Sequence, residues 1–547
     1  MPILDGLIRR LRLREFLGDH LPTEDRRCRI PTADAVLVLL KNLLLAREPL
    51  YGIGPWAARY VPRRLGRAPE QVPALNDDRV GRGLDRLFDA DIPSLTLAVV
   101  THAVREFGVE LDELHNDSTT ITLHGDYEHA DRERSVRGQL RLAVAHGHNK
   151  DHRPDLKQLL YILTVSRDGA VPVQFRVQSG NTTDDRSHLA TWELLCRLTG
   201  RCDFLYVADC KLATAENMAH RHRHGGRFLS VLPRTRGEDA AFRAMVREGQ
   251  ARWRMIHEKR DEDGKLVDRF SIHEPERTSV EGYRVLWYHS TRKAELDALT
   301  RHQRLERALG QLATLRRKLT SPRTRHRERA RVAQAVEAIL HDGRVEGWIT
   351  VEITEETIET YRQERRGRPG AETRYVKHEH QRFDLTYRLD HARLAEEAHC
   401  DGLFPLITND VSLTASDLLL AYKQQPRIEK RFAQLKTDFV VAPVFLKEVS
   451  RIQALLCVSF FTLLVESLLE RELRRAMARE GIESLPLYPE GRACRFPTAR
   501  RVIDLYEEVQ RHELRSGERP AEVFTTELTR LQRRILRLLN MPNVYKG

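Results

Sequence analysis

The sequence predicts an α/β protein: a mixed-sheet core with helical regions at both ends and a large insertion in its middle. Apolar residues recur at helical spacing through the first 110 residues, and from about 111 the period falls to two. A strand-like run returns at 403–408 after a long charged stretch that breaks the rhythm. With 547 residues the chain is too long for one ordinary core, and 41% hydrophobic against 31% charged residues excludes a disordered chain.

Residues 1–110 are predicted to be helical. Leu37, Leu40 and Leu44 recur at i, i+3 and i+7, with Thr32 before them in a capping position. Asn76 precedes a second amphipathic run through Val80, Leu84 and Leu87. Arg59, Arg63, Arg64 and Arg67 lie in the Gly- and Pro-punctuated stretch between. The region therefore reads as a DNA-binding module, or as a helical packing domain with solvated arginines.

Residues 111–234 read as the first part of the core. Leu114 to Leu123 alternate in a Thr-rich strand pattern, and Leu159–Val165 and Val171–Val177 form two more strands joined by a turn at Arg167, Asp168 and Gly169. A helix through Leu195, a short apolar strand from Phe204 to Ala208, a helix over about 213–222 and a strand from Phe228 to Leu232 follow. Residues 235–400 read as an insertion: strand-like pieces (283–287, 348–353, 383–387) around a charged helical hairpin at 290–340, with an arginine-rich loop at 362–373. Residues 401–475 resume the core. Pro426 suits the first turn of a helix reaching Lys436, whose apolar stripe is Ile428, Phe432 and Leu435. Residues 476–547 are expected to be helical, with two further helices reaching about 540.

Lys and Arg total 91 against 79 Asp and Glu, a net charge of +12 that suits a polyanionic partner. Seven scattered cysteines without a C-x-x-C pair argue against a disulfide framework or structural zinc, and for a reducing compartment. The opening residues lack signal-peptide architecture, and the longest apolar run, Ala454–Val465, is too short to span a bilayer. The expectation is a cytoplasmic protein.

Two acids stand out. Asp117 lies inside a strand pattern, where Asp is disfavoured, and Asp209 ends a strand. Glu429 sits on the 422–436 helix on a face shared with Lys436, and with Gln425 and Tyr422 if the helix continues backward through Pro426. Three carboxylates suit hard divalent cations such as Mg²⁺, and two such ions can clamp an in-line phosphoryl displacement. Lys150, Arg153 and Lys157, in the basic run 148–158, are candidate phosphate contacts. No phosphate-cradling glycine motif, nucleophile elbow or H-E-x-x-H sequence is present.

Asp117 in His-Asn-Asp-Ser-Thr-Thr, Asp209 in Val-Ala-Asp-Cys-Lys and Glu429 in the frame from Tyr422 to Lys436 resemble bacterial insertion-sequence transposases of the D-D-E class. The closer resemblance is to the branch with a Y-x2-R-x3-E-x6-K signature and a β-rich insertion before the Glu. The segments 148–158 and 180–182 resemble one subgroup of that branch, and the likeness covers roughly 75–470. It implies a ribonuclease-H-like core and a homodimer acting on paired double-stranded transposon ends and target DNA, bound to the nucleoid when engaged. It implies two Mg²⁺ (or Mn²⁺) ions held by Asp117, Asp209 and Glu429. Tyr422, Arg427, Lys436 and the signature's arginine position would contact DNA. That arginine position is Gln425 here. Two other readings fit the same residues: a ribonuclease-H-like nuclease without strand transfer, and a transposase-derived DNA-binding protein without catalytic activity.

Overall fold

The computed structural model describes Met1 to Tyr545 except residues 25–27, 67, 183–186, 262, 276–277, 322–323, 440–445 and 517–518. The chain divides into two compact units. The first holds Met1–Ser230, Thr408–Leu413 and Asp417–Gly547; the second holds Val231–Ile407 with Thr414–Ser416. Strands and helices are both abundant, and the protein is a mixed α/β molecule.

The first unit opens with helices. Thr32–Leu45 is almost wholly buried, and Asp77–Asp89 is capped by the Asn76 side chain, which accepts from the Arg79 amide at 2.9 Å. Thr32 is not a cap. It is the first residue of its helix, with Pro31 before it, and its hydroxyl and amide both turn to Glu24. Five strands follow in the spatial order Pro172–Ser179, Lys157–Ser166, Glu113–Leu123, Leu205–Val207, Arg227–Val231. The first three are antiparallel and the last two join in parallel. Residues 167–169 form the expected turn, with Gly169 at φ +81, and a Cβ there would sit 2.9 Å from the Arg471 side chain, so the position suits only glycine.

Behind this sheet lies the helix Val449–Arg479. By length and composition it is apolar enough to cross a membrane, yet its most apolar stretch is 89% buried inside the protein. The uninterrupted run read from the sequence is shorter because the helix also buries Glu466, Glu470 and Arg471. Each of these has partners. Glu470 Oε2 lies 3.2 Å from Arg431 Nη1, Glu466 accepts from Gln434 Nε2 at 3.0 Å, and Arg471 donates to the carbonyls of Phe107 and Gly108 and to Asp168. Arg431 also donates to the carbonyls of Ala170 and Gly169, both at 3.0 Å. One guanidinium thus ties its own helix, Pro426–Ala433, to the central helix and to the 167–170 turn.

The C-terminal region departs from the all-helical expectation. Between the helices Ala499–Leu505 and Arg530–Leu538 a hairpin, Arg511–Ser516 with Arg519–Thr525, intervenes. Its strands are rich in Arg and Glu and leave Leu514, Val523 and Phe524 exposed, so no buried alternation signalled them.

In the second unit the strands run Leu403–Thr408, Arg284–Ser290, Leu266–His273, Arg254–Arg260. The helix Gly237–Arg247 and the last two strands were not apparent in the sequence. The charged hairpin consists of Thr291–Leu319 and Arg329–Gly343, and the pieces near 350 and 385 belong to one long ribbon, Ile349–Gln363 paired with Tyr375–Leu389. These helices and the ribbon base share a core of their own, with Leu312, Val332 and Leu385 fully buried. The arginine-rich loop is the tip of that ribbon.

Arg431→Met leaves the Glu470 carboxylate buried without its nearest cation, and a loss of about 3–5 kcal/mol in urea unfolding is expected. Burial alone raises the Glu470 pKa, but Arg431, Lys430 and Arg474 outweigh it and hold the group below its ordinary value of 4.5. A depressed folded pKa contributes stability above the unfolded value, and that stability is lost as pH falls through the folded pKa. Glu470→Gln is therefore expected to show a shallower loss of stability below about pH 4.5 than the wild type. Identical acid slopes in the two proteins would contradict this.

Candidate functional site

The Asp117 strand lies beside the short strand Leu205–Val207 in parallel register, with Glu113 opposite Leu205, Leu114 opposite Tyr206 and His115 opposite Val207. Two residues further along each strand stands an acid: Asp117 on one, Asp209 on the other. Asp209 keeps an extended backbone (φ −67, ψ −177), so the alternation carries through to it. Both acids therefore project from the same sheet face, on chains about 4.8 Å apart.

Glu429 arrives from outside the sheet. His115 shares the face of Asp117, and its Nδ1 meets Gln425 Oε1 at 3.3 Å; its Nε2 donates to Glu113 Oε1 at 2.8 Å. This contact pins the start of the Pro426–Ala433 helix over the strand. Beyond the helix, Lys436 donates to Asp151 at 2.6 Å, and the other oxygen of Asp151 accepts from Thr120 at 3.5 Å. Helix and strand thus run in the same sense, from His115 toward Thr120. Four residues of helix advance about 6 Å and two residues of strand about 6–7 Å, so Glu429 and Asp117 stand at similar distances along helix and strand from the Gln425–His115 contact. The phenol of Tyr422 samples the same space: its pKa is raised by burial first, then by Cys210, Asp209 and Glu429.

The acids are positioned rather than clenched. Among the described residues no three His, Cys, Asp or Glu side chains close to metal-ligand distance. Asp117 Oδ1 accepts from the Ser118 amide at 2.7 Å and faces Lys150 Nζ at 3.7 Å. Asp209 Oδ1 accepts from the Lys211 amide at 3.1 Å and lies 4.0 Å from His188 Nε2. Glu429 is exposed in the first turn of its helix, where the positive end of the helix dipole favours a carboxylate. Carboxylate oxygens are the donor type that suits a hard divalent cation rather than a soft one.

The expected phosphate contacts divide. Lys150 turns inward and donates to the Ser118 carbonyl and hydroxyl at 2.8 and 2.6 Å. Arg153 makes a two-pronged pair with Asp155 at 2.8 and 2.7 Å, and Lys157 donates to the Asp126 carbonyl. Arg427 donates to the Arg167 carbonyl at 3.1 Å. Arg431, the next arginine along that helix, is buried and committed to Glu470 and the 167–170 turn, so it does not face the site. Sequence reasoning missed Glu113, His115 and His188. Glu113 and His115 carry a weak signal, two polar residues in a buried strand; His188, on the helix Ser187–Thr199, carries none.

Residues 1–101 match the model of a domain of unknown function, DUF4277. No curated protein matches the chain. Among solved structures, a piggyBac transposase in a synaptic complex with hairpin DNA is similar with a TM-score of 0.25 and 8% identity, over 53% of this chain and 57% of that one. The chain thus spans little more than half the length of that neighbour.

Proposed function

We propose that this protein is a DNA transposase of an insertion sequence, binding terminal inverted repeats, cutting DNA and joining the freed 3′-hydroxyl to a target. On this reading the sheet around Asp117 is a ribonuclease-H-like core, and two copies of the chain act on paired ends. The observation that supports the reading is the parallel register of the two strands that lead to Asp117 and Asp209, with the start of the Glu429 helix tied to the first of them through His115. This is an arrangement of the three acids in the motifs that resemble D-D-E transposases.

Asp117, Asp209 and Glu429 would hold two Mg²⁺ or Mn²⁺ ions, which when bound supply an activated water or 3′-hydroxyl and neutralise the leaving oxygen. The remaining steps belong to the protein. Tyr422, its phenol kept protonated by burial and by the surrounding negative charge, donates a hydrogen bond to a phosphate oxygen beside the cut. Lys436 exchanges Asp151 for a phosphate, and Arg427 offers a second cation on the approach. Lys150 balances the charge of Asp117. Gln425 holds the Glu429 helix in place through His115 rather than meeting DNA.

Asp117→Asn, Asp209→Asn and Glu429→Gln are each expected to reduce Mg²⁺-dependent cleavage of a terminal-repeat duplex to background while end binding, measured in EDTA, persists. Wild-type cleavage by any one removes that residue from the site. Supplying pre-cut ends separates transposase from nuclease, since only the former joins them to a target plasmid. Gln425→Ala is expected to speed hydrogen exchange of the 427–433 amides by about tenfold, roughly the 1.4 kcal/mol of one lost part-buried hydrogen bond, without changing exchange in the Asp117 strand. Equal exchange in both proteins would remove Gln425 as the anchor.

A further inference from the structure

The helix Arg530–Leu538 has a split character. Ile535, Leu536 and Leu538 are buried, and Gln532 fixes the helix to the helix before it, donating to the Leu505 carbonyl at 2.7 Å while Tyr506 donates to the Gln532 carbonyl at 2.7 Å. Its opposite side carries four exposed arginines, Arg530, Arg533, Arg534 and Arg537. With Arg511 of the neighbouring hairpin and Tyr545, these line a groove of about 850 Å³. Among the described residues lining it, none is acidic. None of these residues belongs to the group around Asp117, Asp209 and Glu429.

The four guanidinium groups of this helix repel one another, and the ion pairs of two of them are weak. Arg533 reaches Glu527 at 3.4 Å and Arg537 reaches Glu480 at 3.6 Å, both exposed pairs of small worth that a phosphate can displace. Arg530, Arg534 and Arg537 lie at i, i+4 and i+7, in steps of about 6 and 4.5 Å along the axis. Such steps suit successive phosphates of one nucleic-acid strand, and guanidinium forks match phosphate oxygens. The concavity favours a rod over a flat bilayer, even though Val523 and Phe524 are exposed nearby.

We infer that this C-terminal arginine groove is a second DNA-binding site, gripping the phosphate backbone of duplex DNA without reading its sequence. The inference rests on the proposed transposase reading for its choice of DNA. The groove serves DNA flanking the cut, or target DNA, and its contribution is electrostatic. Each phosphate it neutralises adds about 0.9 to the slope of log K against log salt.

The test is a salt titration of full-length protein, in EDTA, with a fluorescent duplex of arbitrary sequence. The fourfold change Arg530→Ala, Arg533→Ala, Arg534→Ala and Arg537→Ala is expected to cut the slope by roughly three to four, while the fourfold lysine replacement retains it. Arg530→Glu and Arg534→Glu, made singly, answer the same question if the fourfold alanine chain does not fold; each is expected to lower the slope by about one or more. An unchanged slope in these variants, with the wild type binding normally, overturns the groove and leaves the transposase reading intact. Failure of the wild type to bind any duplex overturns both. If the variants lose only binding to duplex RNA, or to phosphatidylserine vesicles, the groove is real but its assignment to DNA is wrong.

Discussion

The placement of the candidate site depends on one buried ion pair. Arg431 and Glu470 are each almost entirely withdrawn from water, at a desolvation cost of several kcal/mol per ion in any protein. Their attraction offsets that cost because further hydrogen bonds surround both groups. Arg431 meets two turn carbonyls and Gln434, and Glu470 accepts from the Ala499 amide at 3.1 Å and lies 3.4 Å from Arg474. A pair built this way is directional. It fixes the rotation of the Pro426–Ala433 helix about its axis, so Ile428 and Phe432 enter the core and Glu429 is left facing out.

Rotation alone does not set translation along the sheet, and a second contact supplies it. His115, held from behind by Glu113, meets Gln425 just before the helix begins. Glu113 is itself tied to Arg167 at 3.1 Å, which belongs to the same turn that Arg431 grips through Gly169 and Ala170. The two constraints therefore share one anchor, the 167–170 turn. Gly169 makes that turn possible, because the Arg471 side chain occupies the volume a Cβ would need.

Much of this was legible in the residues themselves. Pro426 marked the start of the helix, and Ile428, Phe432 and Leu435 marked its inner face; the structure breaks the helix before Pro426, as its ring requires, and ends it in a wider turn through Lys436. Asp117 was conspicuous because a strand interior disfavours it. The pairing of strands was not legible, since register depends on partners far away in sequence, and neither was the short strand's exact reach toward Asp209. The hairpin of Arg511–Ser516 and Arg519–Thr525 escaped because its exposed apolar residues, Leu514, Val523 and Phe524, leave no buried alternation to read. The inward turn of Lys150 escaped for a related reason: a basic run looks solvated until one knows which carbonyl lies beneath it.

Gln425 is where sequence and structure pull the reading in different directions. Against a family signature it looks like a loss, an arginine replaced by a neutral side chain. In the folded chain it faces an imidazole whose other nitrogen is committed to Glu113, and an amide can meet either tautomer of that ring by turning over. A guanidinium can only donate, and here it would add charge beside Arg167 and Arg427, with Glu113 already shared between Arg167 and His115. The glutamine is thus matched to its surroundings. On the proposed reading its task is mechanical, holding the Glu429 helix against the Asp117 strand, and cationic contact with DNA would fall to Arg427, Lys436 and the arginines of the C-terminal groove.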